Sequence, residues 1–174
     1  MNNLKVYISS FLVQDIEFII ASNECGVIYL SNDQTPEYVN RHIERFYNQA
    51  NKVTGYEADQ YHTHYIEDLK LYFAGKQQYL EWPLNLAGTD YQKSIWQTLL
   101  TIPYGETRSY SDIALQSGNM KAVRAVGGAI GANPVMIAVP CHRVIGKNGT
   151  LTGFSGGLDL KEKLLNIENI TSVA

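Results

Sequence analysis

Cys141 and His142 stand side by side in Val139-Pro140-Cys141-His142-Arg143-Val144, after an apolar run from Val135 to Val139. A thiol becomes a nucleophile once its proton is drawn off, and imidazole is the side chain suited to draw it near neutral pH. The same pair also fits an inert reading, in which Cys141 is a small buried hydrophobe and His142 merely follows it. Glu168 bears on the choice. Periodicity predicts a last helix over 159–169 with Leu160, Leu164 and Ile167 on its core face, and Glu168 falls on that face. A carboxylate there either reaches solvent or needs a buried partner. Paired with His142, it would orient and charge-stabilise the imidazole, which would take the Cys141 proton directly or through one water.

The elements that must position these residues can be read from the second half of the chain. Thr89-Asp90-Tyr91-Gln92 has the capping-box pattern, so a helix starts there, with Tyr91, Ile95, Leu99 and Ile102 as its apolar stripe, widened by Trp96 and Leu100. A second box, Ser109-Tyr110-Ser111-Asp112, opens a short helix in which Ile113, Ala114 and Leu115 can pack, ending near Gly118. Asn119 can cap a third, from Met120 to about Ile130. Short helix, turn and longer helix are the outline of a helix-turn-helix, an outline shared with hairpins that never touch DNA. In the longer helix, Val123, Val126 and Ile130 make a core stripe and leave Lys121, Arg124, Ala125, Gly128 and Ala132 on a basic, small outer face. Gly127 and Gly128 weaken a helix, so a neighbouring helix or a phosphate backbone is expected to approach closely. Val135 to Val139 reads as a strand delivering Cys141, Lys147-Asn148-Gly149 as a hairpin turn, and Gly153-Phe154-Ser155-Gly156-Gly157 as a loop against which a flat ligand can lie.

The first half offers no such chemistry. Leu4 to Leu30 reads as an antiparallel meander, Pro36 opens a helix with Val39, Ile43 and Phe46 at its core, and a second helix is expected from about Tyr65 to Ala74, closed by Gly75. Ile66, Leu69, Leu71, Tyr72 and Phe73 supply its apolar face. His62 and His64 lack a second pair of ligands and argue against a metal site. Trp82 to Gly88 is a connector, which places a domain boundary at Gly88.

Composition agrees with a folded chain of 174 residues, 45% of them hydrophobic. Residues 1–90 carry 6 Lys/Arg against 12 Asp/Glu and residues 91–174 carry 8 against 5, charges of −6 and +3 that make up the net −3. The basic half is the one expected to meet an acidic partner. Two cysteines, Cys25 and Cys141, make no disulfide framework, and neither a leader nor a membrane-spanning run is evident, so a reducing cytoplasm is expected.

Pro140-Cys141-His142-Arg143-Val144, with Asn133-Pro134 upstream and Gly156-Gly157 downstream, resembles the active-site signature of the O6-alkylguanine-DNA alkyltransferases, also called methylated-DNA–protein-cysteine methyltransferases. Lys121 to Gly128 is similarly close, and Leu69 to Gly75 resembles the family's helix before the connector. The resemblance implies an α+β fold of two domains. Residues 1–88 would be a supporting domain, a small antiparallel sheet with helices, ribonuclease H-like. Residues 89–174 would be a mainly helical DNA-binding and alkyltransferase domain with a helix-turn-helix, winged-helix-like.

It further implies a protein that flips O6-alkylguanine out of double-stranded DNA and transfers the alkyl group irreversibly to its own cysteine, with O4-alkylthymine as an alternative lesion. Cys141 would be the nucleophile, His142 and Glu168 its relay, and Asn133 the brace of the active-site turn. Tyr110 would press the phosphate and stabilise the leaving guanine. Arg124 would enter the base stack, with Lys121, Ala125 and Gly128 also on the DNA side and the helix-turn-helix in the minor groove. Phe154, Ser155, Gly156 and Lys161 would form the pocket, Phe154 standing where many members have Tyr. No cofactor, no metal and no membrane are implied, and a monomer is expected. A damage sensor without chemistry and a cysteine hydrolase are the rival readings.

Overall fold

The computed structural model describes residues 4–33 and 35–170. They form two compact units, one ending at Ala87 and the other beginning at Gly88.

The first unit is built on strands β1 (Lys5–Val13), β2 (Ile16–Asn23) and β3 (Gly26–Ser31), joined as the expected antiparallel meander. The sheet is not purely antiparallel, however. A fourth strand, β4 (Asn51–Val53), pairs in parallel with β1, giving the order β3-β2-β1-β4. At three residues with two of them charged or amide, it carries no alternation that a sequence pattern could register. Helix α1 (Pro36–Phe46) covers one face of this sheet, Val39 and Ile43 packing with Val6, Ile19, Ala21 and Ile28.

Helix α2 (Tyr56–Phe73) covers the other face and starts nine residues before its expected beginning. Its buried stripe is Ala58, His62, Tyr65, Leu69 and Tyr72, spaced by fours and threes, while Leu71 is exposed. His62 hid that stripe: a polar residue occupies a core position, its two ring nitrogens bonded to the hydroxyls of Ser9 on β1 and Ser22 on β2, each at 2.8 Å. Phe18 meets Phe73, and Tyr7 stacks on Tyr61 with ring centroids 4.0 Å apart. Alternate strand residues thus serve the two helices, as the period of a pleated strand requires. Gly75 ends α2 with φ 68°, its N–H bonded to Tyr72 O and that of Lys76 to Leu71 O, the pairing of a left-handed cap. The connector lies along β3, with Val27 N–H donating to Pro83 O and Asn85 N–H to Val27 O. Only glycine fits at position 26, where a Cβ would stand 2.2 Å from Pro83 O.

The second unit opens with α3 (Asp90–Leu100), whose Thr89–Gln92 capping box makes both reciprocal bonds. Ile95, Trp96, Leu99 and Ile102 are buried, whereas Tyr91 and Leu100 at the margins of the stripe are exposed. The indole of Trp96 donates to Ala129 O at 2.8 Å and so ties α3 to α5. Strand β5 (Arg108–Ser109) leads into α4 (Tyr110–Gln116), capped by the Ser109–Asp112 box; Ile113 and Ala114 pack, and Leu115 does not. Asn119 caps a 3-10 turn, Met120–Ala122, that winds into α5 (Val123–Gly131).

Two expected strands are absent from the second unit. Residues 135–139 form a buried tight turn, in which Val139 N–H bonds back to Val135 O and Ile137 has φ 71°. A short apolar run signals burial without signalling an extended backbone. Strand β6 (Val144–Ile145) pairs in parallel with β5, not with Thr150-Leu151 in a hairpin, and the Asn148-Gly149 signal is a turn closed by Gly146 N–H to Thr150 O. Helix α6 (Leu158–Ile167) stops two residues short of Asn169, with Glu168 at its C-cap. Among the described residues no helix is long and apolar enough to cross a membrane.

His62 generates a prediction. Burial pulls its pKa from 6.5 to about 4, so the unfolded chain binds a proton that the folded chain refuses across that interval. Its stabilising effect is complete above pH 6.5 and is lost as pH falls toward 4. Urea unfolding at pH 7 and pH 5 is expected to show a His62-dependent loss of about 2 kcal/mol. His42, shifted likewise to about 4, and His142, also lowered by burial, act in the same direction, so His62→Gln should remove only part of the pH dependence.

Candidate active site

Cys141 begins a 3-10 turn, Cys141–Arg143, that follows directly on the buried turn at 135–139. Asn133 holds that approach together. Its side-chain oxygen accepts from Val135 N–H at 3.0 Å, and its amide nitrogen donates to Val139 O at 2.9 Å and to Cys141 Sγ at 3.1 Å. One buried amide thus brackets the turn and touches the thiol. Within the bracketed turn Ile137 has φ 71°, a conformation that β-branched residues avoid.

The thiol is among the lining of a cavity of about 460 Å³. Gly127, Ile130 and Gly131 of α5 line it, as do Phe154 and Ser155 of the glycine loop and Tyr110 of α4. Gly156 and Lys161, expected in the pocket, do not line it. Lys161 is fully buried, and its ammonium donates to Val144 O at 2.5 Å, Thr152 O at 2.9 Å and Gly153 O at 3.4 Å. It therefore ties β6 to the start of the loop. The Tyr110 hydroxyl donates to the same two loop carbonyls, at 3.1 Å and 3.4 Å. Burial pulls Lys161 down to about 8 and raises Tyr110 above the usual phenol value.

Glu168 does not reach solvent: it is 2% exposed. One carboxylate oxygen accepts from His142 Nε2 at 2.8 Å, and the guanidinium of Arg143 reaches it through Nη2 at 2.9 Å. The other oxygen accepts from Arg143 Nε at 2.9 Å and from Gly105 N–H at 3.1 Å. A carboxylate only accepts, so His142 carries a proton on Nε2 and, when neutral, has its lone pair on Nδ1. Burial lowers the His142 pKa against the pull of Glu168. Burial also raises the Cys141 thiol, against the Asn133 amide and the charge of Lys161. Both shifts favour the neutral pair. The site thus holds a protonated thiol next in sequence to a neutral base, a base–orienter bond, and a cavity for the group to be attacked.

Along α5 and the residues that flank it, Lys121, Arg124, Ala125, Gly128 and Ala132 are all exposed. A shallow depression of about 790 Å³ runs beside Lys121, Arg124 and Ala125. No group of three or more His, Cys, Asp or Glu side chains that could hold a metal occurs among the described residues.

Comparison with known proteins places this geometry. The family model for "6-O-methylguanine DNA methyltransferase, DNA binding domain" matches residues 90–170. An inducible methylated-DNA–protein-cysteine methyltransferase of Bacillus subtilis (strain 168) is 42% identical over 175 residues, covering 98% of this chain and 94% of that protein. The chain belongs to the methylated-DNA–protein-cysteine methyltransferases.

Solved structures carry the likeness over both units. The O6-methylguanine methyltransferase of Mycobacterium tuberculosis covers 97% of this chain and 95% of its own, at 38% identity and a TM-score of 0.78. The Mycobacterium tuberculosis OGT in complex with DNA covers 94% and 92%, at 36% identity and a TM-score of 0.73. Family membership makes this an enzyme whose class, by its name, moves a methyl group from DNA to a protein cysteine. The member of the site that residue-by-residue reading missed is Arg143. It sits inside the signature, but nothing in a linear pattern pairs it with Glu168 twenty-five positions away.

Asn133 supplies the test of this geometry. Asn133→Ala removes the donors to Val139 O and Cys141 Sγ, and is expected to destabilise the protein by about 1–3 kcal/mol. Loss of the amide that favours the thiolate should also raise the Cys141 pKa further, which thiol alkylation rate against pH would show.

Proposed function

We propose that this protein repairs O6-alkylguanine in double-stranded DNA by transferring the alkyl group to its own Cys141, once per molecule. The observation that carries the reading is the cavity lined in part by a thiol whose adjacent imidazole is oriented by a buried carboxylate. In the reaction the S–C bond forms as the C–O6 bond breaks, and the thiol proton passes to His142 directly or through one water. The bond's electron pair leaves with guanine, which Tyr110 serves as hydrogen-bond donor in place of its present bond to Thr152 O. Asn133 supports the thiol. A thioether has no easy hydrolytic exit, so the protein is consumed by one turnover.

The target atom lies inside the duplex stack and the thiol lies inside the protein, so the nucleotide must rotate out of the helix to react. In this reading α4 and α5 act as the helix-turn-helix, with the small exposed face of α5 in the minor groove and Lys121, Ala125 and Gly128 against the strands. Arg124 fills the gap in the stack. Residues 89–174 then form the DNA-binding and alkyltransferase domain, winged-helix-like, and residues 1–88 a supporting domain. The β3-β2-β1-β4 order, with its parallel outer strand, supports a ribonuclease H-like description of the latter. Phe154 offers the flipped base an aromatic ring without a hydroxyl.

Mass spectrometry decides between this reading and its rivals. Incubation with duplex DNA containing O6-methylguanine is expected to add one methyl group to the peptide carrying Cys141. Tight binding with an unmodified peptide would instead identify a damage sensor, and turnover of an ester with the thiol regenerated would identify a hydrolase. For Arg124→Ala, repair of the duplex is expected to fall by at least about tenfold while reaction with free O6-benzylguanine changes little, since the free base needs no flipping. Equal losses on both substrates would remove Arg124 from that role.

A further inference from the structure

The ion pair between Arg143 and Glu168 is fully inside the protein, yet its carboxylate is the one that orients His142. Arg143 binds it through Nε and Nη2, and its remaining nitrogen, Nη1, donates to Ile102 O at 2.7 Å. The guanidinium plane is therefore fixed at three points, with the ring of Tyr104 5.8 Å from its centre and the Tyr104 hydroxyl bonded to Ile167 O. A buried pair of this kind is weak grounds for stability alone, because desolvating both ions cancels much of their attraction. Its position on the proton relay asks for another account.

We propose that Arg143 is a positioning residue of the alkyl-transfer step, one that sets the charge balance of the His142–Glu168 pair so that His142 stays neutral until Cys141 attacks. This rests on the reading of Cys141 as the alkyl acceptor. Without the guanidinium, the full charge of Glu168 would fall on His142 at 2.8 Å and draw the thiol proton onto it in the resting protein. That would leave a standing thiolate–imidazolium pair, open to any oxidant or electrophile that enters the cavity. With Arg143 in place, the carboxylate still fixes the ring and its tautomer, but proton transfer waits for the step in which the S–C bond forms and the C–O6 bond breaks. The charged groups that act on His142 are Glu168 at the end of α6, Lys161 within α6, and Arg143 on its own turn. Of the two cations, only Arg143 is bonded to the carboxylate that His142 uses.

The charge-setting role predicts opposite effects from the two halves of one ion pair. In a Cys25→Ser background, which removes the exposed thiol, the rate of iodoacetamide reaction with Cys141 is followed against pH. Arg143→Gln should move the thiol midpoint down and speed the reaction at pH 7 by about tenfold, one pKa unit, whereas Glu168→Gln should move it up and slow it by a similar factor. Arg143→Lys, which keeps the charge, should stay near the unsubstituted profile. A merely structural pair would shift both profiles the same way or leave both unchanged, and either result would overturn the proposal, as would an Arg143→Lys profile that follows Arg143→Gln. If Arg143→Gln does not fold, nitrogen NMR of His142 in the unsubstituted protein decides. A neutral ring protonated on Nε2 at pH 7 is expected, and a doubly protonated ring would overturn the proposal. Methylation of Cys141 by O6-methylguanine DNA is scored separately on the unsubstituted protein, so failure of the alkyl-acceptor reading shows there and not in the thiol profiles.

Discussion

A carboxylate shut away from water costs several kcal/mol unless donors replace its hydration shell, and Glu168 receives them from three residues in two parts of the chain. His142 and Arg143 come from the 3-10 turn, and Gly105 N–H comes from the turn between α3 and β5. Satisfying this one group draws together the end of α6, the turn that carries Cys141 and the approach to α4. Arg143 extends the same knot to Ile102 O at the end of α3. The catalytic pair is therefore positioned by a requirement that the fold must meet anyway, since leaving any of these charges without its partner would be far more costly than the pair itself is stabilising.

The pocket follows a second rule, that buried polar backbone must be bonded. The loop beyond Leu151 is too rich in glycine to enter a strand or helix, and its carbonyls at Thr152 and Gly153 are held by the ammonium of Lys161 and the hydroxyl of Tyr110. Glycine at 127 and 131 leaves the facing helix without side chains there, so space remains beside the thiol. Room for a base and a base–orienter couple thus come from different residues of the same short elements, and Asn133 joins the two by bonding both the turn and Cys141 Sγ.

The first unit meets the same rule by other means. Its sheet is covered on both faces, which buries nearly all of β2, and the polar centre of one face is His62 between Ser9 and Ser22. Three polar side chains bond one another there, and the histidine is a packing residue of the fold. That arrangement binds the unit's stability to the neutral imidazole.

The chain by itself determined the local events: both capping boxes, the left-handed cap at Gly75, the α1 stripe and the division of α5 into a core side and a small basic side. Each depends on residues within about one or two helical turns, where spacing is enough to state the interaction. The signature around Cys141 was legible for the same reason, and it carried the family. Tertiary structure decided what spacing cannot reach. It turned 135–139 from a strand into a buried turn, because Asn133 and short backbone bonds satisfy that run better than a sheet it has no partner in. It extended α2 through His62, whose partners are 40 and 53 positions away. And it settled Glu168, which the sequence left between solvent and a partner, by bringing Arg143 to it. A contact across twenty-five residues is set by the packing of whole elements, and a buried charge reports that packing only once the elements are in place.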